Sequence, residues 1–443
     1  MNYLVHISLV IISILGIILL TSRFKLNAFI SLFIVSLFLA VSILPNKDIL
    51  NVIREGFGST MASIGLLIIF GTIIGVILDK TGGTLSIANY ILKKTGQNRL
   101  VAALGIAGFI TGLPIFCNSG YIILSGLAKS FSQKSGIAMA FIASVLACSL
   151  YSVHCIIPTH PGVLAASGII KVNIGNLILI GTVFAIPAAL AAFFWSRFMT
   201  KGKNYPPAAP ENSETKVLAE NLPSAFRSFL PILMPLLLIT INSFLGITAM
   251  DSNNIIRRLF TIIGDPIISL GIGAIFALFL LKHKDIKVIN SFFEDAIEKA
   301  GPILIITAAG GMFGMVIKAT GVGEETGKLL SNTGIGLWVP FLIAAIMKTA
   351  QGSSTVAIIT AASFVAPMLP VLGLSGEAGK ILTMLAMGAG SMSVSHANVS
   401  YFWVVVNFSG IDSETALKVY SSSTLVMGIV LFAFVWITSF FVL

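Results

Sequence analysis

The sequence has few charged residues. Asp, Glu, Lys and Arg make up 10% of its 443 residues, whereas a soluble domain carries about 25%. Cysteine is also scarce: Cys117, Cys148 and Cys155 lie in apolar stretches and lack the paired spacing of a metal site. The composition therefore excludes a soluble enzyme, and the cysteine pattern argues against a disulfide framework or a zinc site.

Sequence motifs of catalysis are missing as well. The chain contains no HExxH zinc motif, no GxSxG nucleophile elbow and no glycine-rich nucleotide loop with its lysine. This argues against a membrane-embedded enzyme that uses Cys or His with Ser, and we expect no cofactor. A passive channel is a second rival. Channels are usually ringed by identical subunits or lined by rings of charge, and neither is signalled here.

Hydrophobic residues, in contrast, make up 56% of the chain and occur in long runs. A run of about 20 apolar residues crosses about 30 Å of hydrocarbon, and continuous runs indicate helices rather than a β-barrel. The excess of 27 basic over 17 acidic residues lies at the ends of the runs, which indicates topology and not nucleic-acid binding. We predict an all-α polytopic membrane protein with spans near residues 3–22, 27–45, 61–79, 100–113, 136–150, 177–199, 227–250, 266–281, 299–318, 336–348, 379–393 and 420–443.

Matched residues indicate that the two halves of the chain are copies. Residues 71–82, GTIIGVILDKTG, align with residues 310–321, GGMFGMVIKATG, so that two glycines and the final Thr-Gly coincide. Composition explains matched Ile and Leu, but not matched Gly and Thr. We predict an N-terminal membrane repeat (1–200), a hydrophilic linker (201–226) and a C-terminal membrane repeat (227–443). Repeated bundles around broken helices are the plan of a secondary transporter.

Four apolar pieces are too short or too interrupted to cross a membrane alone: 114–128, 156–170, 352–370 and 398–409. Irregular backbone at membrane depth is tolerated only where protein or a water-filled cavity covers it. We therefore expect the binding site where these pieces meet, near the middle of the bilayer.

The first pair of pieces carries polar residues next to helix starts. Asn118 and Ser119 follow a Pro-containing break and occupy a predicted N-cap position, and Ser353, Ser354 and Thr355 hold the equivalent place in the second half. Amides at a helix start attract anions, and side-chain oxygens can bind a cation. Ordinary capping is the simpler explanation. The matching positions in the two halves favour a functional one.

The second pair of pieces carries histidines. His154 and His396 occupy matching positions in the two halves, and His160 lies between Pro158 and Pro161, which force non-helical backbone around it. An ionisable group at membrane depth is costly and usually functional. A neutral histidine that bonds two helices together is the alternative for each of them.

Lys348 ends an apolar run just before the second polar break. Its side chain either extends to the membrane surface or receives a substrate carboxylate. No carboxylate residue lies in mid-span. A proton-coupled carrier would therefore have to titrate its histidines, whereas a sodium-coupled carrier needs only hydroxyl, amide and backbone oxygens.

Several stretches together resemble the gluconate permease (GntP) family over nearly the whole chain: GFGSTMASIGLLIIFGTIIGVILDKTGG, IAGFITGLPIFCNSGYIIL, HCIIPTHPGVLAASGI, QGSSTVAIITAASFVAP and GAGSMSVSHANVSYFW. The family belongs to the ion-transporter superfamily. The resemblance implies two inverted-topology repeats with re-entrant hairpins, a scaffold plus an elevator-like transport domain, and a homodimer. It also implies a multi-pass protein of the bacterial inner membrane that imports gluconate, related sugar acids, glycerate-like acids or D-serine, typically by proton symport.

Three departures from the family pattern bear on this resemblance. Gluconate-type members carry a glutamate where this chain has Phe116-Cys117-Asn118, and many carry arginine where this chain has Lys348. In the proline turn, Thr159 replaces a proline. The missing carboxylate bears on both proton coupling and the choice of gluconate.

We predict a symporter, not an enzyme, that imports a small hydroxy-carboxylate, with gluconate or a related sugar acid as the leading candidate and protons as the coupling ion. The alternative is a sodium-coupled carrier of another small carboxylate or amino acid. The expected substrate ligands are Asn118, Ser119, Gly120, Thr159, His160, Lys348, Ser353, Ser354, Thr355 and Asn398. The expected coupling residues are His154 and His396, and a sodium ion would use Asn118, Ser119, Ser354 and Thr355.

Overall fold

The computed structural model describes residues 3–44, 46–95, 100–208, 222–247, 255–281, 285–321, 336–397 and 399–443, where regular structure is helical and no strand occurs. Half of the predicted linker (209–221), and Asn398 among the predicted ligands, lie outside these ranges. The helices of the first half are α1 (Tyr3–Ile18), α2 (Ala28–Ile43), α3 (Asn46–Lys80), α4 (Gly83–Thr95), α5 (Leu100–Gly112), α6 (Cys117–Ser135), α7 (Met139–Ile156), α8 (Pro161–Ile170) and α9 (Ile174–Thr200). Those of the second half are α10 (Ala225–Ile247), α11 (Ile255–Ile263), α12 (Pro266–Leu278), α13 (Ile286–Thr320), α14 (Trp338–Gln351), α15 (Ser354–Val365), α16 (Glu377–Met392), α17 (Ser400–Ser409), α18 (Ser413–Ala416) and α19 (Ser422–Val442).

Helices long and apolar enough to cross a membrane number five within the described ranges, or up to seven if each of two bent pairs counts as one span. Each predicted span coincides with a helix, but α2, α5 and α14 have only 13 to 16 residues, fewer than the roughly 20 needed to cross alone. Large apolar side chains on α9 and α19, such as Phe194 and Phe440, are exposed. Such an exposed apolar surface indicates contact with the hydrocarbon chains of the lipid bilayer.

Three of the helix breaks inside the protein lie at proline or glycine. A residue before proline avoids the α region, so α5 ends before Leu113-Pro114 and α7 ends before Ile157-Pro158. Gly352 ends α14 with a φ of 76°, a conformation that costs glycine little. These breaks separate α5 from α6, α7 from α8 and α14 from α15.

The longest helices, α3 and α13, have 35 residues each and pack against each other. Gly56, early in α3, contacts the backbone of Met312 late in α13, whereas Lys80 at the end of α3 forms an ion pair with Asp295 in the first third of α13. The two helices therefore run antiparallel. The crossing depends on glycine, because a Cβ on Gly56 would lie 2.7 Å from the Met312 Cα.

Two glycines in α3 provide a matched test of this crossing. We expect Gly56→Ala to destabilise the protein by about 1–3 kcal/mol, the usual cost of overpacking, and to lower the thermal unfolding temperature in detergent. Gly58→Ala should leave stability unchanged or raise it slightly, because no atom lies within 4 Å of its Cβ position and alanine favours the helix. Equal unfolding temperatures for the two variants would contradict the close crossing.

The centre of the bundle is formed by α7 and α16, in which nearly every residue is buried. Helix α5 packs on α7, and α14 packs on α16. Helix α8 of the first half packs on α15 of the second half. This contact brings the breaks of the two halves together in the interior.

Candidate functional site

A cavity of about 140 Å³ lies between the breaks of the two halves. A single water needs about 10–15 Å³, so the cavity has room for a small organic molecule. Its wall comes from the α5–α6 break, the end of α7, the α14–α15 break and the start of α17. The wall residues are Phe116, Cys117, Asn118, Tyr151, His154, Lys348, Gly352, Ser353, Ser354, Thr355, Val399, Ser400 and Tyr401.

Lys348 is the only Lys, Arg, Asp or Glu among these wall residues. Its side chain is 0% exposed; the Nζ atom donates a hydrogen bond to the carbonyl of Gly352 at 3.2 Å and lies 5.5 Å from the centre of the Tyr151 ring. No carboxylate forms an ion pair with it in the part of the chain that the structure describes. A buried ammonium ion without a counter-ion is costly, and an anionic ligand would supply the missing charge.

Two further polar atoms at the cavity have no hydrogen-bond partner in the described structure: Oδ1 of Asn118 and Nδ1 of His154. The His154 side chain is only 8% exposed. Buried polar atoms are almost always paired, so each such exception needs an explanation. A ligand that carries hydroxyl groups would satisfy both atoms.

The starts of α6 and α15 face the same cavity, and they differ in their caps. Ser353 caps α15, since its hydroxyl accepts a hydrogen bond from the Val356 N–H. Helix α6 begins at Cys117, and its N-cap residue, Phe116, makes no side-chain cap bond. The prediction of an N-cap at Asn118 and Ser119 was therefore wrong by two residues, because α6 begins right after the proline turn. Both helix starts direct the positive end of a dipole toward the cavity wall.

Thr159 and His160 lie behind the cavity and not in its wall. The Thr159 hydroxyl donates a hydrogen bond to the carbonyl of Leu113 at 2.5 Å, and His160 Nε2 lies 2.7 Å from the carbonyl oxygen of Gly112. A carbonyl accepts, so His160 carries its proton on Nε2. These two side chains pair carbonyls left free where α5 ends and thereby hold the turn that leads into α6.

Thr159 offers a test of this positioning role. We expect Thr159→Val, which keeps the shape but removes the hydroxyl, to lower the uptake rate several-fold, because the Leu113 carbonyl loses a partner worth about 1 kcal/mol and the turn before Asn118 loosens. Thr159→Ser should keep nearly full activity. Uptake kinetics of the two variants decide the matter, and equal loss in both would contradict the hydrogen-bond role.

Aromatic residues that the sequence reasoning missed form one side of the site. Tyr151 and Tyr401 lie in the wall with ring centres 5.3 Å apart. Tyr121 and Tyr420 pack edge to face against Tyr401 and do not line the cavity. Four of the seven tyrosines in the chain thus lie together. Tyr121 and Tyr401 lie within two of the four interrupted pieces, and Tyr151 lies five residues before a third; this proximity was the available signal.

The structure gathers most of the predicted residues. It places Asn118, His154, Lys348, Ser353, Ser354 and Thr355 in the wall. His160 lies next to the wall, with its ring centre 4.7 Å from that of His154. Ser119 and Gly120 lie in the first turn of α6 but not in the wall, and His396 is half-buried outside it.

The arrangement can hold a small anion that carries hydroxyl groups. One cation and two helix starts supply positive potential, and amide, imidazole and hydroxyl groups supply further hydrogen bonds. No group of three His, Cys, Asp or Glu side chains that could hold a metal ion occurs within the described ranges. The site therefore has the features expected of a binding site for a small polar monoanion.

Comparison with known proteins agrees with this chemistry. A model of the family described as GntP family permease matches residues 5–441. A gluconate permease of Pseudomonas aeruginosa is 30% identical, over 97% of this chain and 96% of its own length. The Gnt-II system L-idonate transporter of Escherichia coli is 29% identical over 90% of this chain and 91% of its own length, and the D-serine transporter of that organism is 27% identical over 98% of both.

The solved structure of the Alcanivorax borkumensis YdaH transporter matches with a TM-score of 0.57 and covers 90% of each chain. Its sequence identity of 15% means that this likeness concerns the fold alone. The family match over nearly the full length and the gluconate permease relative have a direct consequence. The chain belongs to the GntP family of permeases and is a transporter of the bacterial inner membrane.

Proposed function

We propose that this permease is a symporter that imports gluconate or a related sugar acid together with protons. The observation that carries the proposal is a buried cavity in which Lys348 has no carboxylate partner among the described residues and in which Asn118 and His154 present unpaired polar atoms. A sugar acid has one carboxylate for the first group and several hydroxyls for the others. Gluconate and L-idonate transporters among the relatives support this choice.

In the proposed binding mode, the substrate carboxylate lies between the Lys348 ammonium group and the starts of α6 and α15. Substrate hydroxyls bond to Asn118, His154 and the hydroxyls of Ser354 and Thr355. Thr159 and His160, which were predicted as ligands, support the break between α5 and α6 in this proposal, because their side chains face the end of α5. Asn398 stays a predicted ligand outside the described residues.

The transport movement in this proposal is elevator-like. Two inverted repeats, residues 1–200 and 227–443, would each contribute a broken hairpin to a bundle that moves against a scaffold, with residues 201–226 as the linker. The order of helix lengths supports the repeats, since α3 and α13 have 35 residues each, and α8 and α17 have ten each. The antiparallel packing of α3 on α13 supports inversion. A homodimer is part of the same proposal.

Proton coupling is assigned to His154, which lines the cavity, in preference to His396, which is half-buried outside it. An imidazole titrates in the range in which a bacterial proton gradient operates. The alternative is a sodium-coupled carrier of another small carboxylate or an amino acid, with sodium at oxygens of Asn118, Ser119, Ser354 and Thr355. The D-serine transporter among the relatives supports an amino acid as the substrate in this alternative.

Uptake by proteoliposomes tests the proposal. We expect an inward proton gradient at constant sodium to drive accumulation of labelled gluconate. His154→Gln should abolish gradient-driven accumulation but keep gluconate exchange at equal pH, with a raised KM because His154 is also a proposed substrate ligand. Uptake driven by a sodium gradient at fixed pH, with none driven by protons, would refute proton coupling. Competition by D-serine but not by sugar acids would replace the proposed substrate class with the alternative one.

A further inference from the structure

Cys117 is the only cysteine in the cavity wall. All three cysteines are buried, but the Cys117 side chain, 4% exposed, lines the cavity beside Asn118, whereas Cys148 and Cys155, both in α7 and 0% and 2% exposed, do not line it. All three are free thiols. The chain therefore has one thiol in the cavity wall, a second, Cys155, just behind the wall near Lys348, Tyr151 and Ser354, and a third, Cys148, outside the wall.

The same cavity carries features that select the charge of what enters. Lys348 is fully buried and lines the wall with Cys117, and no Asp or Glu is among the described wall residues. His154, 8% exposed, presents an unpaired Nδ1 in the same wall. A buried cation raises the local concentration of anions and lowers that of cations.

We propose that Cys117 is a modification site in the transport cavity, selective for small anionic thiol reagents, and that its modification closes the cavity to substrate. The proposal rests on the proposed function only in treating this cavity as the transport site. With an anionic methanethiosulfonate, the Cys117 sulfur attacks the sulfenyl sulfur and a new S–S bond forms. The S–SO₂ bond breaks, methanesulfinate leaves with the electron pair, and the thiol proton passes to water. The added sulfonate chain then occupies the space beside Lys348.

Two reagents of similar size and opposite charge test the site: sulfonatoethyl and trimethylammonioethyl methanethiosulfonate. We use purified protein in detergent, so that both membrane faces are accessible, and the Cys148→Ala/Cys155→Ala variant, which leaves Cys117 as the single thiol. We expect the anionic reagent to react about tenfold faster or more. In Lys348→Gln, the ratio of the two rates should fall several-fold, and the two helix starts keep a remaining preference for the anionic reagent. Peptide mapping of the unaltered protein locates the adduct independently of the double variant.

Adducts on Cys148 or Cys155 with none on Cys117 would overturn the proposal, and so would equal rates of the two reagents in the unaltered protein. Cys117→Ala should keep uptake after treatment with the anionic reagent, whereas the unaltered protein should lose it. A separate arm concerns the proposed function. Gluconate should slow the modification of Cys117, and D-serine should not. Modification that follows charge but is unaffected by gluconate would support the thiol site and count against gluconate as substrate.

Discussion

Lys348→Gln is expected to lower kcat/KM for gluconate uptake by about 10- to 100-fold. A hydrogen bond to a charged group contributes about 1.5–3 kcal/mol, and each 1.36 kcal/mol corresponds to about tenfold in rate. The full contribution should be felt here because Lys348 is completely buried and no carboxylate competes for it among the described residues. Initial rates of labelled gluconate uptake in proteoliposomes measure the effect.

The same variant should not lose stability. An uncompensated buried charge is costly, so its removal should leave the unfolding temperature of the empty protein unchanged or higher. Stabilisation by gluconate, which follows from binding to the folded state, should be lost. Lys134→Gln serves as the control, because Lys134 is exposed. Normal uptake by Lys348→Gln would remove the basis for anion binding at this site.

The positions of the helix breaks could be predicted from the sequence because their causes are local. Gly112-Leu113-Pro114 and the Pro158–Pro161 turn each combine proline with a second helix-breaking residue, whereas single prolines such as Pro187 and Pro302 lie inside continuous helices. The convergence of the two halves could also be predicted, since matched residues imply matched positions. Broken helices in a membrane need a polar interior, so the approximate site followed from these two rules.

The roles of individual side chains could not be predicted, because they depend on which backbone groups come near. His160 was predicted to bind substrate, but its Nε2 lies against the carbonyl of Gly112 at the end of α5, 48 residues earlier in the chain. Matched sequence positions also failed to imply matched roles: His154 lines the cavity and His396 does not. Similar sequence at two positions therefore does not determine what each side chain contacts.

Gly162→Ala is expected to lower uptake by at least about tenfold while the protein still folds. Gly162 is the second residue of α8, and a Cβ there would lie 2.9 Å from the Thr355 Cα, 3.1 Å from its Cγ2 and 3.2 Å from its Cβ. The Thr355 Cα belongs to the backbone at the start of α15 and cannot turn away as a flexible side chain could. The added methyl group must therefore displace the start of α15, which carries Ser354 and Thr355.

The expected loss follows from precision rather than from stability. Overpacking costs about 1–3 kcal/mol, which a large membrane protein can tolerate, whereas a shift of about 1 Å in a binding group can cost about 100-fold in rate. Gly301→Ala is the matched control, because no atom lies within 4 Å of its Cβ position. Uptake assays and unfolding temperatures measured side by side separate the two effects. If Gly162→Ala transported gluconate at the normal rate and KM, the contact between α8 and the start of α15 would not define the geometry of the site.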